Sequence, residues 1–212
     1  MVMASNDSCG LVHYLSGKYP GRIGWLLSPS SWKQPRFYLP YAMDNDAYMA
    51  WSAKREWDSA AWTAMLKRAR MTGRPPMWVL VPDVVADRQA TLDSWNQFAP
   101  EAKSYGWPLA FAVQNGMTAD DVPPNAEVVF IGGTTDWKWR NLPMWARLFP
   151  RVHVGRVNEV RRLWTCEEHG VESVDGTGWF RGTDEGRQAR GLLRWLAGER
   201  NETPELAPAS AG

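Results

Sequence analysis

The chain has 212 residues, 44% hydrophobic and 22% charged, with a formal net charge of +1. That size and composition predict one globular domain with its own core and exclude a largely disordered chain or a global pull towards nucleic acid. No apolar run is long enough to span a bilayer and no secretory leader pattern is read. Two cysteines, Cys9 and Cys166, cannot build a disulfide framework, so a reduced, cytoplasmic setting is expected.

In chain order, β-rich runs fall at residues 11–15, 37–43, 77–81, 109–113, 128–131, 152–154 and 173–174, with 23–27 as a candidate eighth. Several are apolar at consecutive positions, as in strands covered on both faces. Helical patterns lie between them. Asp58 can cap a helix with Ala61, Trp62, Met65, Leu66 and Ala69 on one face, and Asp87 one with Leu92, Trp95 and Ala99 inward. Asn158 can cap a third helix bearing Val160, Leu163 and Trp164, stopped at His169-Gly170. A last helix opens at Thr183 with Asp184 and Glu185 and carries Ala189, Leu192, Leu193 and Leu196.

Strands alternating with helices predict parallel βαβ units, in a barrel or a doubly wound sheet. The strand count favours an α/β fold of the compact (β/α)8 TIM type, closed or incomplete, over residues 1–198. Residues 199–212, rich in Pro, Ala, Ser and Glu, predict a disordered tail.

What ends each strand carries the chemistry. The runs close on Asp44-Asn45-Asp46, Pro82-Asp83, Gln114-Asn115-Gly116, Gly132-Gly133-Thr134, Gly155-Arg156 and Asp175-Gly176. In a (β/α) barrel these positions share the C-terminal mouth, where such sites are built. Any single aspartate after a strand is equally a cap or turn former. A polar amide closing an apolar strand, as Gln114 does, needs buried partners. No phosphate loop, dinucleotide fingerprint, HExxH or paired CxxC is present, and His153, inside a strand, reads as a satisfied core residue. Two acids about a glycosidic bond remain as the chemistry to weigh. Of the 14 tryptophans, most fall at packing positions. The alternation Trp137-Lys138-Trp139-Arg140 could instead stack on bases and hold phosphates, while the arginines at 151–162 and 181–194 read either as solvated faces or as a phosphate patch.

In their order, these motifs resemble the tRNA-guanine transglycosylase superfamily, most closely its short DNA-modifying branch, the deazapurine DNA-modification (DpdA-like) transglycosylases. The resemblance spans roughly residues 11–196. Asp44-Asn45-Asp46-Ala47-Tyr48 is similar to the family's D-S-G-G-F-Q segment, although Asp46-Ala47 replaces its glycine pair. Val81-Pro82-Asp83, Val113-Gln114-Asn115-Gly116, Ile131-Gly132-Gly133, His153-Val154-Gly155-Arg156 and Glu172-Ser173-Val174-Asp175 resemble the motifs that follow. The resemblance implies Asp175 as nucleophile and Asp44 as proton-transfer residue, with Asp83, Gln114, Gly132 and Gly133 reading the base. Arg156, Arg181, Lys138 and Arg140 are the candidates for the nucleic-acid backbone. The implied reaction replaces guanine in DNA with a free 7-deazaguanine base, without a cofactor. A tRNA substrate, hydrolysis on the same scaffold, a silent nucleic-acid-binding module and homodimer formation stay open. The zinc cluster of the tRNA enzymes has no counterpart here, so no metal is expected. The expected setting is the cytoplasm, that of the host if the gene is phage-borne.

Overall fold

In the computed structural model, which describes residues 1–5, 10–180 and 187–200, eight parallel strands close into a barrel in chain order. They are β1 (Val2–Ala4), β2 (Ile23–Leu27), β3 (Tyr41–Met43), β4 (Val79–Leu80), β5 (Leu109–Val113), β6 (Val128–Ile131), β7 (Val152–Val154) and β8 (Ser173–Asp175). The ring is sealed by β1 against β8, with Val2 opposite Val174 and Met3 opposite Asp175.

Seven helices are present among the described residues. They are α1 (Gly10–Lys18), α2 (Ala47–Ser52), α3 (Ser59–Met71), α4 (Arg88–Lys103), α5 (Thr135–Leu148), α6 (Val160–Glu168) and α7 (Arg187–Ala197). The β2–β3 and β5–β6 connections hold only single 3₁₀ turns, Pro29–Ser31 and Ala119–Asp121. Pro35 and Pro40 in one and Pro123-Pro124 in the other deny a helix the donors it needs. The barrel is compact because two helices are missing, not strands.

The caps at Asp58 and Asp87 form as expected, each carboxylate accepting the third-position N–H, from Ala61 at 2.9 Å and Ala90 at 3.0 Å. Four expectations need correction. Residues 11–15 lie in α1, whose buried face is Val12, Leu15 and Ser16; an apolar pentapeptide is too short for periodicity to separate strand from helix. The first strand is instead β1, and residues 37–43 and 77–81 contribute only Tyr41–Met43 and Val79–Leu80. Glu159, not Asn158, takes the N-cap position of α6, without a side-chain hydrogen bond to the helix, and Asn158 Oδ1 accepts the Gly178 N–H. Of the expected tail, Glu199 and Arg200 still touch the fold: the Glu199 N–H donates to Arg194 and Arg200 pairs with Glu168. Residues 201–212, and Thr183 with its first turn, lie outside the described residues.

Two apolar layers follow from strand alternation. The outer layer, between barrel and helices, takes Trp25, Trp62, Trp95, Trp145, Trp179 and Trp195. The barrel interior holds Met3, Leu26, Ala42, Trp78, Leu80, Ala110, Ala112 and Val128, with Phe130 packed against them. Two residues beyond these inward positions come Asp44, Gln114 and Gly132. Asp175 likewise follows Ser173, whose hydroxyl meets the buried His153 ring. The period of two therefore aims these strand ends into the barrel mouth.

Candidate active site

Asp44 follows β3 directly, its backbone N–H held by the Leu27 carbonyl at 2.7 Å. Its carboxyl is pushed up to about 8, first by burial and then by the neighbouring charges of Asp175 and Asp46; the Asn45 N–H, 2.7 Å from Oδ1, opposes the rise. At neutral pH Asp44 is therefore a carboxylic acid. Asp46 adopts the left-handed conformation, φ 62°, so the chain keeps a turn that glycine would take freely; its Oδ2 accepts the Ser30 N–H at 2.7 Å.

Asp83 is out of phase with the inward row and is brought over by two amides. Asn45 Nδ2 donates to its Oδ1 at 2.8 Å and Gln114 Nε2 to its Oδ2 at 2.7 Å. Burial raises its carboxyl to about 6, against the lowering by Asn45, its own backbone N–H and Arg156. Gln114 Oε1 accepts the N–H groups of Ala86 at 2.9 Å and Gly133 at 3.0 Å. The amide that needed partners thus ties together the ends of β4, β5 and β6. Gly132 leaves room for it: a Cβ there would sit 3.0 Å from Gln114 Nε2. Gly133, at φ +69°, would carry a Cβ 2.7 Å from Asn115 Oδ1 and 2.8 Å from the Trp137 ring, so glycine is required.

Asp175 ends β8 and is held at both oxygens. His153 Nε2 lies 3.1 Å from Oδ2, and the Arg156 N–H donates to Oδ1 at 3.1 Å. The imidazole is fully buried, stacked on Phe130 and edge-on to Trp78, with Nδ1 2.8 Å from Ser173 Oγ. His153 is a satisfied core residue, as read, and also the partner of Asp175; only the three-dimensional pairing of β7 with β8 reveals the second fact. Asn45 was likewise missed. Its side chain joins Asp83, the Val81 carbonyl and the Ala47 N–H, and its position beside Asp44 was the one signal available.

The structure thus brings Asp44, Asp83, Gln114, Gly132, Gly133, Asp175 and Arg156 to one mouth. Arg156, at φ +59°, donates to the Gly133 carbonyl at 2.7 Å and lies over the Tyr48 ring at 4.2 Å. Lys138 departs from expectation. Trp137-Lys138-Trp139-Arg140 is part of α5, and helical geometry turns Lys138 inward, buried, with Nζ donating to the Gly155 carbonyl; it cannot hold a nucleic-acid backbone. Arg140 is exposed on the same helix, and Arg181 lies outside the described residues. A side groove of about 310 Å³ flanks the mouth, lined by Pro29, Asp46, Met49, Arg55 and Trp57 among others.

No protein-family model matches the chain, and no curated protein matches it. Among solved structures it is similar to 3-hexulose-6-phosphate synthase from Salmonella typhimurium, with TM-score 0.53 and 10% identity over 94% of this chain and 99% of that one. Another 3-hexulose-6-phosphate synthase gives TM-score 0.51 and 11% identity over 92% and 98%. The fold is a TIM barrel. Both neighbours are enzymes, and at such identity the likeness carries the fold alone.

Proposed function

We propose that the chain is a base-exchanging transglycosylase that replaces guanine in DNA with a 7-deazaguanine base through a covalent aspartyl–sugar intermediate. The observation that carries this reading is the different setting of two carboxyls at one mouth. Asp44 is held protonated up to about pH 8, whereas Asp175 is pinned at both oxygens by groups able to donate to it. One acid to protonate a leaving group and one carboxylate to attack are what displacement at a glycosidic carbon requires.

Asp175 attacks C1′ of the target nucleotide; the C1′–N9 bond breaks and N9 of the departing guanine takes the Asp44 proton. The incoming base then returns its N9 proton to the Asp44 carboxylate, and N9 attacks C1′ to release Asp175. The proton lost in the first half is regained in the second, so no cofactor is required. The base edge is read by Asp83 and the Gly132-Gly133 backbone, with Gln114 holding Asp83 and Gly133 in place while keeping one amide hydrogen to offer. A target within a duplex must first be extruded for C1′ to be reached. DNA is preferred over tRNA because two cysteines cannot supply the zinc cluster of the tRNA enzymes.

The protein is incubated with DNA or tRNA and isotopically labelled 7-deazaguanine bases, and nucleosides are analysed by mass spectrometry. Label is expected in DNA, together with a denaturation-resistant adduct mapped to Asp175 and absent from Asp175→Asn. Label in tRNA alone would move the substrate, and guanine release without label uptake would make the enzyme a hydrolase. An adduct on another residue would remove Asp175 from its role.

A further inference from the structure

Lys138 is a buried cation that the exchange chemistry leaves unused. Its Nζ donates to the Gly155 carbonyl, and the N–H of that same peptide unit, belonging to Arg156, donates to Asp175 Oδ1 at 3.1 Å. Cation, peptide and carboxylate therefore stand in line. Drawing electron density towards the carbonyl oxygen makes the N–H a stronger donor, and in a dry setting successive hydrogen bonds strengthen one another. The left-handed backbone of Arg156 is what turns this peptide towards Asp175, a conformation that a non-glycine residue keeps only where its surroundings hold it.

We propose that Lys138 is a positioning residue that acts on Asp175 through the Gly155–Arg156 peptide, orienting the attacking carboxylate and strengthening the N–H it accepts, without touching substrate. The kinetic part rests on Asp175 being the nucleophile; the electrostatic part does not. Burial first, and then the Arg156 charge, bring the Lys138 ammonium down to about 8, while Asp175 and the Cys166 thiol favour its charge and Arg162 opposes it. Those four are the groups that act on it, and the Trp139 ring, 5.3 Å away, covers it. Lys138 therefore stays mostly charged at neutral pH and loses its charge, and with it the polarisation of the peptide, as pH rises through about 8.

The test is made on the full chain in an Asp44→Asn background, which removes the other group titrating near 8. The amide proton of Arg156, followed by NMR, is expected to lie downfield and to titrate near pH 8. Lys138→Met should move it upfield and abolish the titration. Lys138→Arg, which keeps a charged donor, should leave it downfield and remove the titration. An Arg156 amide that ignores Lys138→Met overturns the proposal whether or not the chain exchanges bases. In the Asp44-intact enzyme, Lys138→Met should slow adduct formation about ten-fold at unchanged KM for the incoming base, with Lys138→Arg recovering most of the rate. An unchanged adduct rate in a folded Lys138→Met also overturns it. If no adduct forms even in wild type while the Arg156 amide responds as expected, the transglycosylase reading fails and the relay stands.

Discussion

Asp44 holds a proton in the neutral range because water is withdrawn from it and three other carboxylates, Asp175, Asp46 and Asp83, act on it. The same shift acts on stability. Unfolded, the side chain titrates near 3.8, and folded, near 8. Between these values the folded chain keeps a proton that the unfolded chain has lost, so stability falls as pH rises from 4 to 8 and levels off above. Asp44→Asn, neutral throughout, should flatten that slope and stabilise the protein by about 1–3 kcal/mol at pH 8, the charge being partly screened by water at the mouth; urea denaturation at pH 5 and pH 8 reads the difference. The same variant should lose about 10²–10⁴-fold in exchange rate. In wild type, exchange should decline above about pH 8, where the acid form disappears. His153 makes a separate case. His153→Phe keeps an aromatic ring between Trp78 and Phe130 but leaves Asp175 Oδ2 without its partner, so adduct formation should slow about 10²-fold at little change in KM. A fall in KM-dependent binding alone would assign His153 to the base pocket instead.

At the scale of elements, the strand ends do the positioning and the turns after them carry the strain. Arg156 is the sharpest instance, a non-glycine residue at φ +59° whose backbone serves Asp175 and whose side chain serves Gly133 and Tyr48. Arg156→Gly relieves the backbone and Arg156→Ala does not, though both remove the guanidinium. The glycine variant should therefore be more stable than the alanine variant by about 1 kcal/mol, measured by thermal melting. The strands Leu109–Val113, Val128–Ile131 and Val152–Val154 were legible to the residue, because each is a short apolar run ending on glycine or a polar stop. Strand β1 was not, since three residues offer no period to read, and residues 11–15 hid their helical phase for the same reason. The acids of the mouth could be read from strand ends. Their partners could not: Asn45 reaches Asp83 across 38 positions and His153 reaches Asp175 across 22, and nothing local marks either pairing.

For the whole molecule, the closed barrel gathers Asp44, Asp83, Gln114 and Asp175 from four of its eight strand ends, and eight of the 14 tryptophans are buried in the fold. Among the described residues no group of three or more His, Cys, Asp or Glu is arranged to hold a metal ion, and no helix is long and apolar enough to cross a membrane. The purified protein should keep its melting temperature in excess chelator; one tightly held equivalent of zinc by elemental analysis would contradict this. The seam of the barrel has a further consequence. Asp175 lies opposite Met3 in the register of β8 against β1, so the proposed nucleophile leans on a strand some 170 positions earlier in the chain. During translation β1 must wait for some 170 further residues before that partner emerges, and until then the ring is open at the strand that carries Asp175. A nascent chain that had already made Asp44, Asp83 and Gln114 would still lack a seated Asp175. On the proposed reading, base exchange should require β8 to have closed on β1, and trimming residues 2–4 should silence it although that strand supplies none of the proposed site side chains.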